Sequence, residues 1–191
     1  MKFILFLFLT FMAGSVFCQL NVRINWQPVN ASPKSDTIYY SANSKLNWTN
    51  FQKKDEEGSN AAALTTSGFG FGAGLHTLND KGTLTINVFC YFLKSRSWYK
   101  EKYRNEYVLN HEQHHFDIAY LGTNYFVKKL KAAKFTTKNY SALLQSIYEE
   151  AYTYMDNLQD QYDGETSNGR LKDKQASWNK LINEQLGAFT N

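Results

Sequence analysis

Two cysteines and two prolines in 191 residues leave little room for a disulfide-stapled scaffold. With 43% apolar and 16% aromatic residues beside so little proline, a disordered chain is excluded as well. Charge of one sign is also scarce. Basic residues number 21 and acids 17, and the densest basic group, KKLKAAK at 128–134, falls near the end of a helical stretch. Cations there complement the helix dipole, so the group reads as a solvated face and no nucleic-acid partner is expected. The glycines of SGFGFGAG (67–74) are followed by no lysine–serine pair, which excludes a phosphate loop. No internal repeat is present.

Long apolar runs are confined to the first eighteen residues, MKFILFLFLTFMAGSVFC. Lys2, an apolar run from Phe3 to Ala13 and then short residues describe a secretory signal peptide, too short and too poorly flanked to span a membrane. Cleavage is expected before Gln19, with Val16 and Cys18 at the −3 and −1 positions. The bulky Phe17 disfavours a lipoprotein site. A secreted or periplasmic chain of residues 19–191 then forms one domain, with Cys90 alone, no disulfide, no membrane partner and a net charge of +3 (20 basic residues without Lys2, against 17 acids).

The first half of that chain reads as strands. LNVRINW (20–26) alternates apolar and polar residues, DTIYYS (36–41) is a second candidate, and LNWTNF (46–51) leads into a charged turn, KKDEEGSN. AAALTTSGFGFGAG (61–74) reads as a strand with close backbone approach or as a glycine loop, and GTLTINVFCYFL (82–93) has the β-branched and aromatic content of a buried strand. From about Tyr103 the period becomes helical. Three helices are expected, over about 103–131, 140–162 and 171–186, with DGETSNG (163–169) ending the second in a turn. Strands first and helices afterwards predict an α+β domain, with an antiparallel or mixed sheet followed by three helices.

Three of the four histidines lie in NHEQHHFD (110–117), which contains HExxH on the first helix. Four residues advance a helix by about 400°, so His111 and His115 stand about 40° apart, one turn above the other, where two imidazoles reach one metal ion. Imidazole suits Zn²⁺, whose catalytic sites keep one position for water, and Glu112 is then placed to act as general base. The competing reading is a polar helix face. It is disfavoured because both histidines share a stripe with Ile118 and Tyr125, and buried imidazoles need partners. His114, about 60° to the other side, is expected behind the ligands or toward solvent, Asp117 in a contact to a neighbouring element, and Gly122 where another element packs closely.

LNWTNF, SRSW (95–98), LNHEQHHFDIA (109–119) and YDGET followed by QASWNKLI resemble the bacterial secreted family known as domain of unknown function 922, over about Leu46 to Leu186. The resemblance implies a zincin-like, zinc-dependent protease with His111 and His115 as ligands and Glu112 as base. It also shows a departure: the family pattern has a histidine where this chain has Asn168. Carboxylates nearby are the remaining candidates for a third ligand, Asp163 first, then Glu165, Glu149 and Glu150, with turn-shaping as the alternative role for Asp163 and Glu165. Tyr162 is a candidate oxyanion donor or else a core residue. The function expected is a secreted zinc metallohydrolase, most simply a peptidase acting on peptide or protein. A non-catalytic metal- or peptide-binding module and a cell-wall amide hydrolase are the alternatives.

Overall fold

The computed structural model describes residues 19–26, 35–43, 45–78 and 81–188. The signal-peptide expectation for 1–18 lies outside these. Three strands pair with one long strand. β5 (Lys81–Leu93) alternates strictly: Leu84, Ile86, Val88, Cys90 and Phe92 are buried on one face, and the residues between them are less covered. Each large apolar side chain buried this way contributes about 1.5–3 kcal/mol, so β5 anchors the core.

β4 (Ser67–Leu78) pairs antiparallel with β5 along its whole length, which makes SGFGFGAG strand rather than glycine loop. Gly68 and Gly70 leave room for the Tyr91 and Phe89 rings across the ladder: an added Cβ would stand 3.1 Å from the Tyr91 hydroxyl and 2.8 Å from Phe89. On the other edge of β5 lie β1 (Asn21–Trp26), parallel, and β2 (Thr37–Tyr39), antiparallel, so the sheet is mixed. Within the strand-like half, Trp48–Asn50 is a 3-10 turn instead. The Asn47 side chain accepts from Thr49 N, and Asn50 returns a bond to the Asn47 N–H. That reciprocal capping holds the backbone out of a ladder. A two-stranded pair, β3 (Ala63–Leu64) with β6 (Trp98–Tyr99), completes the β part.

The helices form the second layer. α1 (Glu106–Ala132) lies on β4 and β5, α2 (Tyr140–Thr166) packs on α1, and α3 (Lys172–Gly187) packs on both. The architecture is α+β, a mixed sheet followed by three helices. Asn105 caps α1 by accepting from Val108 N at 3.0 Å. Gly122 is where α1 and α2 touch, since a Cβ there would stand 2.7 Å from Met155 Cβ. α2 runs four residues past its expected end. Asp163, Gly164, Glu165 and Thr166 are helical, and the turn begins at Ser167, whose φ of 53° is left-handed. The helix continues because Thr166 Oγ1 bonds back to the Tyr162 carbonyl and leaves the stop to Ser167–Gly169. Among the described residues no helix is long and apolar enough to cross a membrane.

Candidate metal centre

His111 and His115, one turn apart on α1, meet edge to face with ring centroids 4.8 Å apart and Nε2 atoms 3.2 Å apart. α2 runs antiparallel beside them and delivers Asp163. Its Oδ1 lies 3.2 Å from His111 Nε2 and 3.1 Å from His115 Nε2. Had the helix stopped at Tyr162, the backbone carrying Asp163 would have no fixed direction; its extension to Thr166 aims the carboxylate.

Which ring nitrogens carry hydrogen follows from the neighbours. Gln159 donates its Nε2 to the His115 carbonyl (2.8 Å), so its Oε1 faces His115 Nδ1 at 2.6 Å. Gln175 spends both Nε2 hydrogens on the Tyr162 hydroxyl (2.5 Å) and Asn179 Oδ1 (2.7 Å), so its Oε1 faces His111 Nδ1 at 2.9 Å. Amide oxygens only accept, so both imidazoles donate from Nδ1 and turn their Nε2 lone pairs toward Asp163. Three acceptors thus converge, and Asp163 Oδ1 is buried with no donor unless an Nε2 carries a proton.

Such an arrangement requires a positive charge. A tetrahedral ion bound at about 2.0–2.1 Å holds its ligand atoms about 3.3 Å apart, close to the 3.1–3.2 Å found here. Two imidazole nitrogens and one carboxylate oxygen are a donor set suited to Zn²⁺, and His111, His115 and Asp163 fit it. In the metal-free protein a proton takes that place. Burial disfavours charge on His115, but the hydrogen bond to Asp163, the charges of Glu112 and Asp163 and the Gln159 contact outweigh it and raise its pKa to about 9. Burial would raise Asp163, yet the bonds to both histidines and their charges hold it below the usual carboxylate range.

Glu112 borders the same cleft. It is 4% exposed, and its Oε2 is buried with no hydrogen-bond partner. A buried carboxylate oxygen left bare beside a cation-demanding cluster is suited to take a proton from whatever binds there. The cleft measures about 780 Å³ and has α1, α2 and the segment 60–67 as walls. The segment is fixed to α1 by Thr65 Oγ1 donating to the Glu112 carbonyl and Ser67 Oγ to that of His115.

The remaining expected residues lie elsewhere. His114 does not reach solvent. It is 3% exposed and hydrogen-bonded through Nδ1 to the fully buried Asp117 (2.9 Å), because its shoulder of α1 faces the interior beside the Tyr162 ring. Asp117 also accepts from Tyr40 and Gln113, tying α1 to the residue that follows β2. Glu165 accepts from Trp178 Nε1 and Gln161 Nε2, Glu150 pairs with Lys129, and Glu149 accepts from Gln145. None of these three carboxylates belongs to the cluster. Tyr162, a candidate oxyanion donor or else a core residue, is fully buried: its ring stacks on His111 (4.7 Å, 24°), and its hydroxyl donates to the His111 carbonyl and accepts from Gln175. It supports the ligand from behind. Asn168, in left-handed backbone, borders the cleft, and Gly169 packs on the His111 ring, where a Cβ would stand 3.2 Å from Cγ.

Gln159 and Gln175 are the functional residues that sequence reasoning missed. Gln159 stands one turn before Asp163 and shares its face of α2, a spacing that pointed to it. Gln175 shares a stripe with Trp178 and Ile182, and a polar residue on a buried stripe was the only signal. No family model matches the chain, and neither curated proteins nor solved structures contain a match to it. The resemblance noted from its motifs therefore rests on those motifs alone.

Proposed function

We propose that this protein is a zinc-dependent peptidase of zincin-like design, related to the family that its motifs resemble. The observation that carries the reading is the convergence of His111 Nε2, His115 Nε2 and Asp163 Oδ1 within 3.2 Å of one another, beside the bare Oε2 of Glu112, on the floor of a cleft. Those three atoms would hold a divalent ion of the zinc type, which when bound would supply Lewis acidity to a scissile carbonyl and to a water. Glu112 accepts the proton of the attacking water and delivers it to the departing amine, so it begins and ends the cycle as carboxylate. Gln159 and Gln175 hold the two imidazoles at Nδ1 while this happens.

A peptide substrate is supported by the wall formed from residues 60–67. Lys100 N donates to the Ala62 carbonyl (2.9 Å), making Ala62 and Lys100 a hydrogen-bonded pair; the neighbouring pair, Ala63 and Tyr99, therefore turns its backbone groups outward. Ala63 and Leu64 of β3 both border the cleft, and an extended chain laid along that wall would gain main-chain hydrogen bonds.

The test is metal content and peptide hydrolysis of protein purified without chelator. Wild type and Glu112→Gln are expected to hold about one zinc per chain. Asp163→Ala is expected to lose it on dilution, and Glu112→Gln to lose about 10²–10⁴-fold in hydrolytic rate. Full activity in Glu112→Gln, or no metal after zinc is supplied, defeats the reading.

A further inference from the structure

Charge along the cleft is arranged, and the arrangement goes beyond what hydrolysis requires. α1 and α2 run antiparallel, with Gly122 against Met155 and His115 against Gln159. On the cleft face of α2, Asp160 and Asp156 precede Asp163 by about 4.5 Å and about 10 Å along the axis. They therefore flank the cluster on the side of His115. Arg170 and Lys172 follow the Gly169 turn and flank it on the opposite side, near Tyr107, whose hydroxyl donates to the Gly169 carbonyl at 2.6 Å.

None of these four charges makes an ion pair among the described residues. Arg170 Nε donates to the Ser167 carbonyl, and the Lys172 ammonium stands 5.9 Å from the Tyr107 ring centroid. All four are exposed at the cleft. A divalent ion at the centre balances the charges of Asp163 and Glu112, so two acids on one side and two bases on the other remain as the net field. Exposed acids on a helix are ordinary by themselves. Here they border a cleft whose floor holds a bare, nine-tenths-buried carboxylate, with bases opposite.

We propose that this cleft selects extended peptides that are charge-polarised about the scissile bond, with Lys or Arg on the side facing Asp156 and Asp160 and Asp, Glu or a terminal carboxylate on the side facing Arg170 and Lys172. The inference rests on the peptidase reading. Complementary charges at solvent-exposed subsites favour one substrate over another by about threefold each, so two matched sides give about tenfold. The preference is screened by salt.

The experiment uses the zinc-loaded chain and three internally quenched peptides of matched sequence: a neutral one, one with lysines before and glutamates after the cleavage point, and one with this order reversed. Cleavage rates are read at low and high salt, and binding of the same peptides is read by anisotropy with zinc-loaded Glu112→Gln. One polarity is expected to exceed the neutral peptide by about tenfold in kcat/KM and the other to fall below it, with the spread shrinking in high salt. In Asp156→Lys/Asp160→Lys the ratio between the two polarities is expected to collapse or invert. Equal cleavage of all three peptides overturns the inference and leaves the peptidase reading standing. No cleavage and no binding of any of them removes both. A ratio unchanged in the double variant, with zinc retained, also overturns it.

Discussion

Replacing Asp163 by asparagine separates two roles of one carboxylate, and the structure sets how they trade against each other. Structural zinc sites bind with about 10–16 kcal/mol shared over four ligands, so one ligand is worth about 2.5–4 kcal/mol, or about 10²–10³ in affinity. Asp163 also holds a proton on His115 in the metal-free protein, raising that imidazole to about 9 from its ordinary 6.5. Zinc must expel that proton. At about pH 7.5 the competition weakens wild-type binding about 30-fold, and about one proton is released per zinc. In Asp163→Asn the imidazole returns toward 6.5, competition nearly disappears, and only about a tenth of a proton leaves. The variant is therefore expected to lose about 3–30-fold in zinc affinity at about pH 7.5, and the full 10²–10³ above about pH 9.5. Calorimetric titration with zinc in buffers of differing ionisation enthalpy gives affinity and proton count together. Equal affinity losses at both pH values, or proton release unchanged by the substitution, would refute the linkage between Asp163 and His115.

Three further outcomes follow from the same geometry. Gln175→Leu removes the acceptor that fixes His111 Nδ1 and is expected to weaken zinc binding about 10–100-fold in a chelator competition, while the unfolding transition stays cooperative. Gly122→Ala places a Cβ 2.7 Å from Met155 Cβ, which is backbone-anchored and cannot swing away; overpacking costs about 1–3 kcal/mol, against about 1 kcal/mol gained in helix propensity. A lowered Tm is the expected result, and an unchanged or raised one would show that α1 and α2 adjust freely. In the metal-free protein, His115 is raised above its unfolded value. Its contribution to stability is complete below about pH 6.5 and lost as pH rises through about 9, whereas zinc-loaded protein, with His115 unprotonated, should lack that decline; denaturant melts across this range decide it.

Local pattern made much of this molecule legible. The β-branched and aromatic content of Gly82–Leu93 marked a strand, because such side chains suit a pleated surface, and the change to a 3.6-residue period after Tyr103 marked the helices, because that period follows from backbone geometry alone. Capping chemistry was less visible. The reciprocal Asn47–Asn50 bonds make a turn out of LNWTNF, and Thr166 carries α2 through a glycine that reads as its end. The parallel partnership of β1 with β5 was not legible either, since pairing direction depends on the route of the chain between the strands.

The sequence by itself determined that His111 and His115 face one way from one helix, with Glu112 beside them, because four residues of α-helix allow no other arrangement. It also made Asp163 the first carboxylate to consider. Tertiary packing alone decided that Asp163 meets the two imidazoles while Glu165, two residues on, turns to Trp178, and that glutamines from two other helices set the tautomers. Those choices depend on the angle and depth at which three helices pack. Side-chain volumes at contacts such as Gly122 with Met155 set that depth across the whole core, and no local stretch encodes it.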